Sequence, residues 1–222
     1  MINLEKFKHQ SWLDGRIIAI NGDCQKVMAE IEDKEIDLVL TDPPYGIGFD
    51  HKIREVRITN WDNEIPNRII FDDLIRVSKK QIIWGGNYFP SLWVKGCRGF
   101  IFWNKDVNFD SYSAGELAYT NIEMGAKYYY YAWNGLADGI RGRNKKEKTI
   151  HPTQKPIQLM AWCLNNYSKE NDLVFDGFLG SGTTAIACIK TNRRFIGCEL
   201  DKEYFEKACE RIDTELKQLT LF

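Results

Sequence analysis

The alternation of apolar and polar positions predicts strands and helices in turn along most of the chain. Short runs of branched apolar residues predict buried strands at 17–20, 36–41, 81–84, 99–103, 172–175 and 194–198. Apolar residues at helical spacing predict helices at 24–32, 69–78, 157–167, 183–190 and 202–216. Further strands are expected at 116–120 and 127–133, after a short lead-in at 1–16. This order indicates a mainly parallel, doubly wound α/β sheet.

The strand predicted at 36–41 runs directly into the stretch Asp42-Pro43-Pro44-Tyr45. Each proline fixes φ and removes a backbone donor, so the chain must leave the sheet rigidly, with free carbonyls beside a carboxylate and an aromatic ring. Open α/β sheets bind their ligands at this end of their strands. The stretch therefore predicts a preformed acceptor site for a planar ligand with an amino group. A helix cap at Asp42 is the competing interpretation, but a cap does not require Pro-Pro-Tyr behind it.

A glycine-rich turn separates the strand at 172–175 from the helix at 183–190. Its glycines let the backbone turn sharply and approach a ligand at the amino terminus of the helix. Glu199 closes the next strand, where a carboxylate can accept hydrogen bonds from both ribose hydroxyls of a nucleoside. A tight structural turn is the alternative. The spacing G-x-x-G-x-G differs from the dinucleotide pattern, and a P-loop is excluded because no lysine follows the last glycine.

Composition and charge bear on the number of domains and on possible contact with nucleic acid. The 222 residues, 44% of them hydrophobic, are enough for one large domain. The net charge of -1 gives no global basic signal, so a nucleic-acid contact must come from a local patch. One candidate patch places five cations against Glu147: Arg141, Arg143, Lys145, Lys146 and Lys148. This segment is either a solvated surface loop or an arm that contacts the phosphates of a nucleic acid.

The cysteine and histidine positions give no sign of a metal site. The six cysteines form no C-x-x-C pair and the histidines lack ligand spacing, so we expect reduced structural thiols and no metal. The amino terminus has no apolar core of signal-peptide length, and no run approaches the length of a membrane span. We therefore expect a cytoplasmic protein without a membrane partner.

Taken together, the motifs resemble those of the amino-group DNA methyltransferases that use S-adenosylmethionine. D-P-P-Y at 42–45 is similar to their catalytic motif and D-G-F-L-G-S-G-T at 176–183 to their cofactor motif. The catalytic motif comes first here, and H-P-T-Q-K-P at 151–156 precedes the cofactor strand, as is typical of their beta group. The resemblance covers about 17–216. It implies one domain over 1–222 with a circularly permuted, seven-stranded, Rossmann-like methyltransferase sheet.

The resemblance also implies a role for individual residues. Asp42 and the Pro43 carbonyl would accept hydrogen bonds from the exocyclic amine of the target base, and Tyr45 would stack on a base flipped out of double-stranded DNA. Glu199 would hold the cofactor ribose. Asp23 resembles the acid that faces the adenine ring, although a Gly-Asp pair after a strand is more often a simple turn. The remaining cofactor residues implied are Thr153 and Lys155 near the methionine end, with Asp176, Gly177, Phe178, Gly180, Gly182 and Thr183.

Target recognition is left to a short insertion at about 125–150, where the five basic residues of the candidate patch would contact DNA. Its size leaves open a short recognition site, a partner subunit or a homodimer, and a companion restriction enzyme cannot be read from this chain. The Asp form of the motif is typical of adenine enzymes, so we expect a site-specific N6-adenine DNA methyltransferase. Open alternatives are the same chemistry on cytosine N4, RNA or protein glutamine, and a non-catalytic DNA-binding or regulatory subunit.

Overall fold

A computed structural model describes residues 2–48, 62, 64–96, 98–106, 113–133 and 154–219. The strands are Lys8–Trp12 (β1), Ile17–Asn21 (β2), Ile36–Thr41 (β3), Ser78–Trp84 (β4), Phe100–Asn104 (β5), Gly115–Thr120 (β6), Lys127–Tyr130 (β7), Leu173–Asp176 (β8) and Arg194–Glu199 (β9). The α-helices are Cys24–Met28 (α1), Arg68–Val77 (α2), Ile157–Tyr167 (α3), Thr183–Lys190 (α4) and Lys202–Leu219 (α5). Short 3-10 helices cover Leu4–Lys6, Gly86–Tyr88 and Pro90–Trp93.

These strands form one sheet in the order β1-β2-β9-β8-β3-β4-β6-β5-β7. The five strands β2, β9, β8, β3 and β4 are parallel to one another. At one edge β1 runs antiparallel to β2, and towards the other edge β6 runs antiparallel to both β4 and β5, with β7 parallel to β5. The prediction of a mainly parallel α/β sheet is confirmed.

The expected number of seven strands is wrong, because the described residues alone contribute nine strands to the sheet. The lead-in predicted at 1–16 contains β1, whose sequence Lys-His-Gln-Ser-Trp carries no apolar run that could have predicted a strand. Two side chains tie β1 to the final helix: the Trp12 indole N–H donates to Asp213 Oδ1 at 2.6 Å, and Lys8 Nζ lies 3.6 Å from Glu206 Oε1. At the opposite edge, β7 lies inside the segment 125–150 that was assigned to target recognition.

Helices cover both faces of the sheet. Leu159, Ile186 and Ile212, from α3, α4 and α5, lie in the buried cluster on one face, and α1 and α2 contribute to the cluster on the other. Within β3, Leu38 and Leu40 point into the first cluster and Val39 into the second, so nearly every position of this strand is buried. A parallel strand covered on both sides in this way explains why its sequence reads as a continuous apolar run.

The crevice of the sheet lies where β3 and β8 are neighbours. From β8 the chain passes to α4 on one face, and after β3 the next described α-helix is α2 on the other face. Open α/β sheets bind ligands where the chain turns to opposite faces in this way, at the carboxyl ends of the strands. The fold therefore brings the ends of the two sequence motifs to the same crevice.

The described cysteines are buried and free, as expected for structural thiols: Cys24, Cys163, Cys188, Cys198 and Cys209. Burial raises the pKa of the Cys24 thiol to about 12, with Asp23 adding to the effect, so this thiol stays protonated at neutral pH. Among the residues that the structure describes, no helix combines the length and the apolar content needed to cross a membrane.

Candidate functional site

A cavity of about 280 Å³ opens at the carboxyl ends of the parallel strands. Asp42 and Pro44 line it after β3, and Asp176 lines it at the end of β8. Glu199 at the end of β9 and Asp23 after β2 complete the row of acidic side chains along this edge. The catalytic-type and cofactor-type motifs, far apart in sequence, thus face a single cleft.

Asp176 joins β3 to β8 at the base of the cavity. Its Oδ1 accepts hydrogen bonds from the Thr41 hydroxyl at 2.6 Å and from the backbone N–H of Phe178 at 3.0 Å. The side chain is only 3% exposed, and this burial raises the pKa of Asp176 to about 6 despite the hydrogen bonds that oppose the shift. The Asp176 carboxyl group therefore ties the end of β3 to the start of the loop that follows β8.

Glu199 holds the glycine-rich loop against β9. Its Oε2 accepts from the backbone N–H of Gly180 at 2.8 Å, and its Oε1 accepts from the N–H of Asp201 at 2.9 Å. Gly180 and Gly182 have φ of 53° and 74°, in the left-handed region that favours glycine. Burial raises the pKa of Glu199 to about 7. Each carboxylate oxygen keeps a second lone pair for a ligand in the cavity.

The loop after β3 is held by Asp62. Its carboxylate Oδ1 accepts from the backbone N–H groups of Tyr45 at 2.7 Å and Gly46 at 3.0 Å, and Asp62 is 5% exposed. The same loop is closed on itself by the Tyr45 hydroxyl, which donates to Asp42 Oδ1 at 2.6 Å. The carboxylate of Asp42 is therefore fixed in direction by its own loop.

The ring of Tyr45 packs against the end of β4. It stacks on Tyr88 with ring centroids 4.8 Å apart and an interplanar angle of 15°. It also lies so close to Gly85 that a Cβ added there would be 2.1 Å from the ring carbon Cε1. Stacking of Tyr45 on a flipped base stays a prediction, and in this arrangement the ring already contacts Tyr88 and Gly85.

Lys155 brings a positive charge to Asp42. Its Nζ donates to Asp42 Oδ2 and lies 3.0 Å from Glu116 Oε2, while Lys105 pairs with the other oxygen of Glu116. Burial raises the pKa of Asp42, an effect that Lys155 opposes and Glu116 strengthens. Burial would also raise the pKa of Glu116, but Lys155 and Lys105 outweigh it and lower this pKa to about 2. Lys155 thus stands between two carboxylates at the edge of the cleft.

Comparison with known proteins finds similarity to DNA methylases. A sequence profile described as "DNA methylase", of the N6/N4 class, matches residues 105–210. The type II methyltransferase M.HpaI of Haemophilus parainfluenzae is 29% identical over 251 residues, with 91% of this chain and 76% of the relative covered. M2.DpnII of Streptococcus pneumoniae is 26% identical, with 90% and 91% covered. The chain is thus similar to amino-group DNA methylases of the N6/N4 class along most of its length.

Two solved structures show the same fold as this chain. The PvuII DNA methyltransferase, described as cytosine-N4-specific, superimposes with a TM-score of 0.62 at 15% identity, with 88% of this chain and 86% of that one covered. The complex of M1.HpyAVI with S-adenosylmethionine gives a TM-score of 0.59 at 22% identity, with 88% and 98% covered. At these identities the likeness concerns the fold.

The methylase fold brings most of the predicted site residues together. Asp23 lines the cavity and also caps α1 by accepting from the Gln25 N–H at 2.9 Å, and its place at the adenine ring stays a prediction. Pro43 is buried behind the cavity wall. The predicted residues that line the cavity are Asp23, Asp42, Pro44, Lys155, Asp176, Gly177, Phe178, Thr183 and Glu199. Thr153, Arg141, Arg143, Lys145, Lys146 and Lys148 lie outside the described residues.

Sequence reasoning missed the contacts that hold the loop that carries Asp42. Asp62 was not singled out, because it lies in a polar stretch whose pattern resembles any loop. Lys155 was assigned to the methionine end of the cofactor, and its contact with Asp42 was not foreseen. Neither contact has a local signal, because each joins residues that are distant in the sequence.

Replacing Asp62 by alanine is expected to lower kcat at least tenfold and to lower the thermal midpoint by roughly ten degrees. Each hydrogen bond to a charged acceptor stabilises by about 1.5–3 kcal/mol, and the loop that carries Asp42 would lose two of them. Initial rates and thermal unfolding measure the two effects. Asp72→Ala is the control, because Asp72 is exposed on α2 and pairs with the exposed Arg68 at 3.5 Å. Equal kcat for the two variants would contradict this role of Asp62.

Proposed function

We propose that this methylase is a site-specific DNA methyltransferase that moves the methyl group of S-adenosylmethionine to N6 of adenine in DNA. The observation that carries the proposal is the shared cavity, into which Asp42 and Glu199 both open. Adenine is favoured because Asp42 occupies the first position of the motif, where the family's adenine enzymes typically have Asp. The type II methyltransferases among its relatives support a role in restriction-modification.

The chemistry of the cavity fits S-adenosylmethionine. Its volume of about 280 Å³ is close to the lower end of the range for small-molecule sites. Glu199 would accept hydrogen bonds from the ribose hydroxyls, and Asp23 would face the adenine ring. The loop that begins at Asp176 offers backbone without obstructing side chains at Gly177 and Gly180. When bound, the cofactor supplies an electrophilic methyl group on a sulfonium.

The role of Asp42 follows from the electronic structure of the acceptor. The lone pair of an exocyclic amine is delocalised into the base, so the nitrogen is a poor nucleophile. Hydrogen bonds from the amine to the Asp42 carboxylate and the Pro43 carbonyl would favour a pyramidal nitrogen with an available lone pair. Preorganised acceptors of this kind supply rate through positioning and electrostatics. The proton leaves the amine after methyl transfer, and no covalent enzyme intermediate is required.

The proposal includes how the methylase meets DNA. The target base must leave the duplex to reach a cavity at the sheet edge. The basic residues at 141–148 would contact the backbone phosphates, in a recognition insertion at about 125–150 of a single domain. From the order of the motifs we infer the circular permutation of the beta group. The proposal also includes a homodimer and a companion restriction enzyme as partners.

Labelled methyl transfer tests this function and its acceptor. The protein is incubated with labelled S-adenosylmethionine and double-stranded DNA, and the modified nucleoside is identified by mass spectrometry, with Asp42→Ala as control. We expect N6-methyladenine. N4-methylcytosine would keep the chemistry and change the base. Label on RNA or protein glutamine but not on DNA, or no label at all, would overturn the proposal.

The affinity for S-adenosylhomocysteine is expected to increase up to about tenfold between pH 6 and pH 8. The pKa of Glu199 is raised to about 7, so the ionised fraction rises about tenfold across this range, and the ionised form is the better acceptor for ribose hydroxyls. Calorimetric titration at both pH values measures the change. Glu199→Gln should bind more weakly and lose most of the pH dependence. The same pH dependence in both proteins would show that Glu199 does not hold the ribose.

A further inference from the structure

Two lysines and two carboxylates form an ion cluster beside the catalytic loop, defined here as Asp42, Lys155, Glu116 and Lys105. Lys155 Nζ donates to Asp42 Oδ2, lies 3.0 Å from Glu116 Oε2 and donates to the Tyr45 hydroxyl oxygen at 3.1 Å. Lys105 Nζ donates to Glu116 Oε1. With two positive and two negative charges, the cluster is electrically balanced.

The four members of the ion cluster come from four different parts of the sheet edge. Asp42 follows β3, Lys105 follows β5, and Glu116 lies on β6 opposite Trp103 of β5. Lys155 precedes α3 and is the most deeply buried of the four, with its side chain 4% exposed against 19% for Asp42 and 16% for Glu116. The two carboxylates compensate the charge of the buried ammonium group, because an unpaired buried charge would be costly.

Resting on the proposed function, we propose that Lys155 is a positioning residue that keeps the Asp42 carboxylate ionised and turned towards the base amine, with Glu116 and Lys105 balancing its charge. A protonated Asp42 would lose acceptor capacity and gain an O–H donor, which is the wrong polarity for the hydrogens of an amine. Asp42 must therefore remain ionised in an environment that opposes ionisation.

The groups around Asp42 show why one residue decides its charge. Those that face it are Tyr45 on its own loop, Lys155, Glu116 backed by Lys105, and Asp176 across the cleft. Burial raises the pKa of Asp42 and so does the negative charge of Glu116, whereas Lys155 lowers it by charge and by hydrogen bonding. Burial would lower the pKa of Lys155, but Asp42 and Glu116 raise it, so the ammonium group stays charged. Lys155 is thus the positive group in direct contact with Asp42.

Two simpler roles for Lys155 predict different results. If Lys155 served only to bind the methionine end of the cofactor, its loss would raise KM for S-adenosylmethionine and leave the pH profile of kcat unchanged. If it were merely structural, its loss would lower stability without moving the ionisation of Asp42. The positioning role predicts a change in the pH profile and in the pKa of Asp42.

The kinetic test replaces Lys155 by methionine, which keeps the length of the side chain and removes the charge. We expect kcat to fall at least a hundredfold at pH 7.5 and to recover at least tenfold by pH 9, with KM for S-adenosylmethionine changed less than threefold. Lys155→Arg should restore much of the activity at pH 7.5. Lys190→Met, which removes an ion pair with Glu215 between α4 and α5, is the control and should leave the profile unchanged.

The second readout needs no catalysis. NMR of aspartate-labelled protein, with Asp42→Asn for assignment, follows the ionisation of Asp42 directly. We expect the pKa of Asp42 to rise above pH 7.5 in Lys155→Met, because only a carboxyl group that is mostly protonated at that pH explains the recovery of kcat by pH 9. It should fall back in the double variant Lys155→Met/Glu116→Gln, because that variant also removes the repelling carboxylate. If the single variant folds poorly, the pKa of Asp42 can still be compared between wild type and this double variant.

The outcomes separate this inference from the proposed function. A wild-type protein that methylates DNA, combined with an unchanged pH profile and an unchanged pKa of Asp42 in Lys155→Met, would overturn the positioning role alone. A wild-type protein without methyl transfer to any substrate would overturn the function. In that case the shift of the Asp42 pKa in Lys155→Met still decides whether the ion cluster controls the charge of Asp42.

Discussion

Asp42→Ala is expected to lower the rate of methyl transfer at least a thousandfold while leaving the affinity for S-adenosylmethionine within threefold of wild type. The carboxylate is the acceptor that would act on the amine in the transition state, and removal of one preorganised hydrogen-bonding group from such a site costs about 10²–10³ in kcat. Here the charge is lost as well. The adenosine part of the cofactor would be bound by Glu199 and the loop after β8. Asp42→Ala should therefore slow methyl transfer without weakening cofactor binding.

Single-turnover rates with labelled cofactor, together with calorimetric binding of S-adenosylmethionine, measure the two effects of Asp42→Ala. Asp42→Asn is the matched variant, because it keeps the shape and one acceptor oxygen of the side chain but removes the charge that pairs with Lys155. Its rate should lie between those of wild type and Asp42→Ala. A rate for Asp42→Ala within tenfold of wild type would show that Asp42 does not act in methyl transfer.

Gly85→Ala is expected to lower kcat at least a hundredfold and to lower the thermal midpoint by several degrees. Gly85 has a φ of 71° and its added Cβ would be 2.1 Å from a ring carbon of Tyr45. The left-handed backbone alone costs roughly 1–2 kcal/mol for alanine. The overlap would also push the Tyr45 ring away, and with it the hydroxyl that donates to Asp42.

Gly96→Ala is a closely matched control for Gly85→Ala. Gly96 has a φ of 70°, but a Cβ added there meets no atom within 4 Å. Both variants should therefore lose stability from backbone strain, and only Gly85→Ala should lose activity as well. In the double variant Tyr45→Ala/Gly85→Ala the two losses should be strongly non-additive, because the overlap is gone. Equal kcat for Gly85→Ala and Gly96→Ala would show that the packing of Tyr45 on Gly85 does not control the loop.

The sequence allowed prediction of the elements that are strongly periodic. The helix predicted at 157–167 has those same bounds in the structure, and the strand at 36–41 does as well. Both carry apolar patterns that match the faces they bury. The position of Asp42 and Asp176 in the lining of one cavity was also predictable, because neighbouring parallel strands end at one edge of a sheet.

Other elements had no local signal. The polar sequence of β1 forms a strand only because β2 offers it an unpaired edge. The helix predicted at 24–32 ends at Met28, where its apolar spacing alone gave no stop. The pairing of Lys155 with Asp42 and the packing of Tyr45 on Gly85 depend on where distant loops meet. Such contacts are set by the tertiary fold, which a pattern of neighbouring residues does not encode.

A crystal structure with S-adenosylhomocysteine would show whether one cleft holds the methyl donor beside the acceptor of the base amine. We expect the ribose hydroxyls to contact Glu199 and the sulfur to face the carboxylate of Asp42 across the same cavity. A ligand bound outside this cavity, or one whose sulfur is directed away from Asp42, would contradict this expectation.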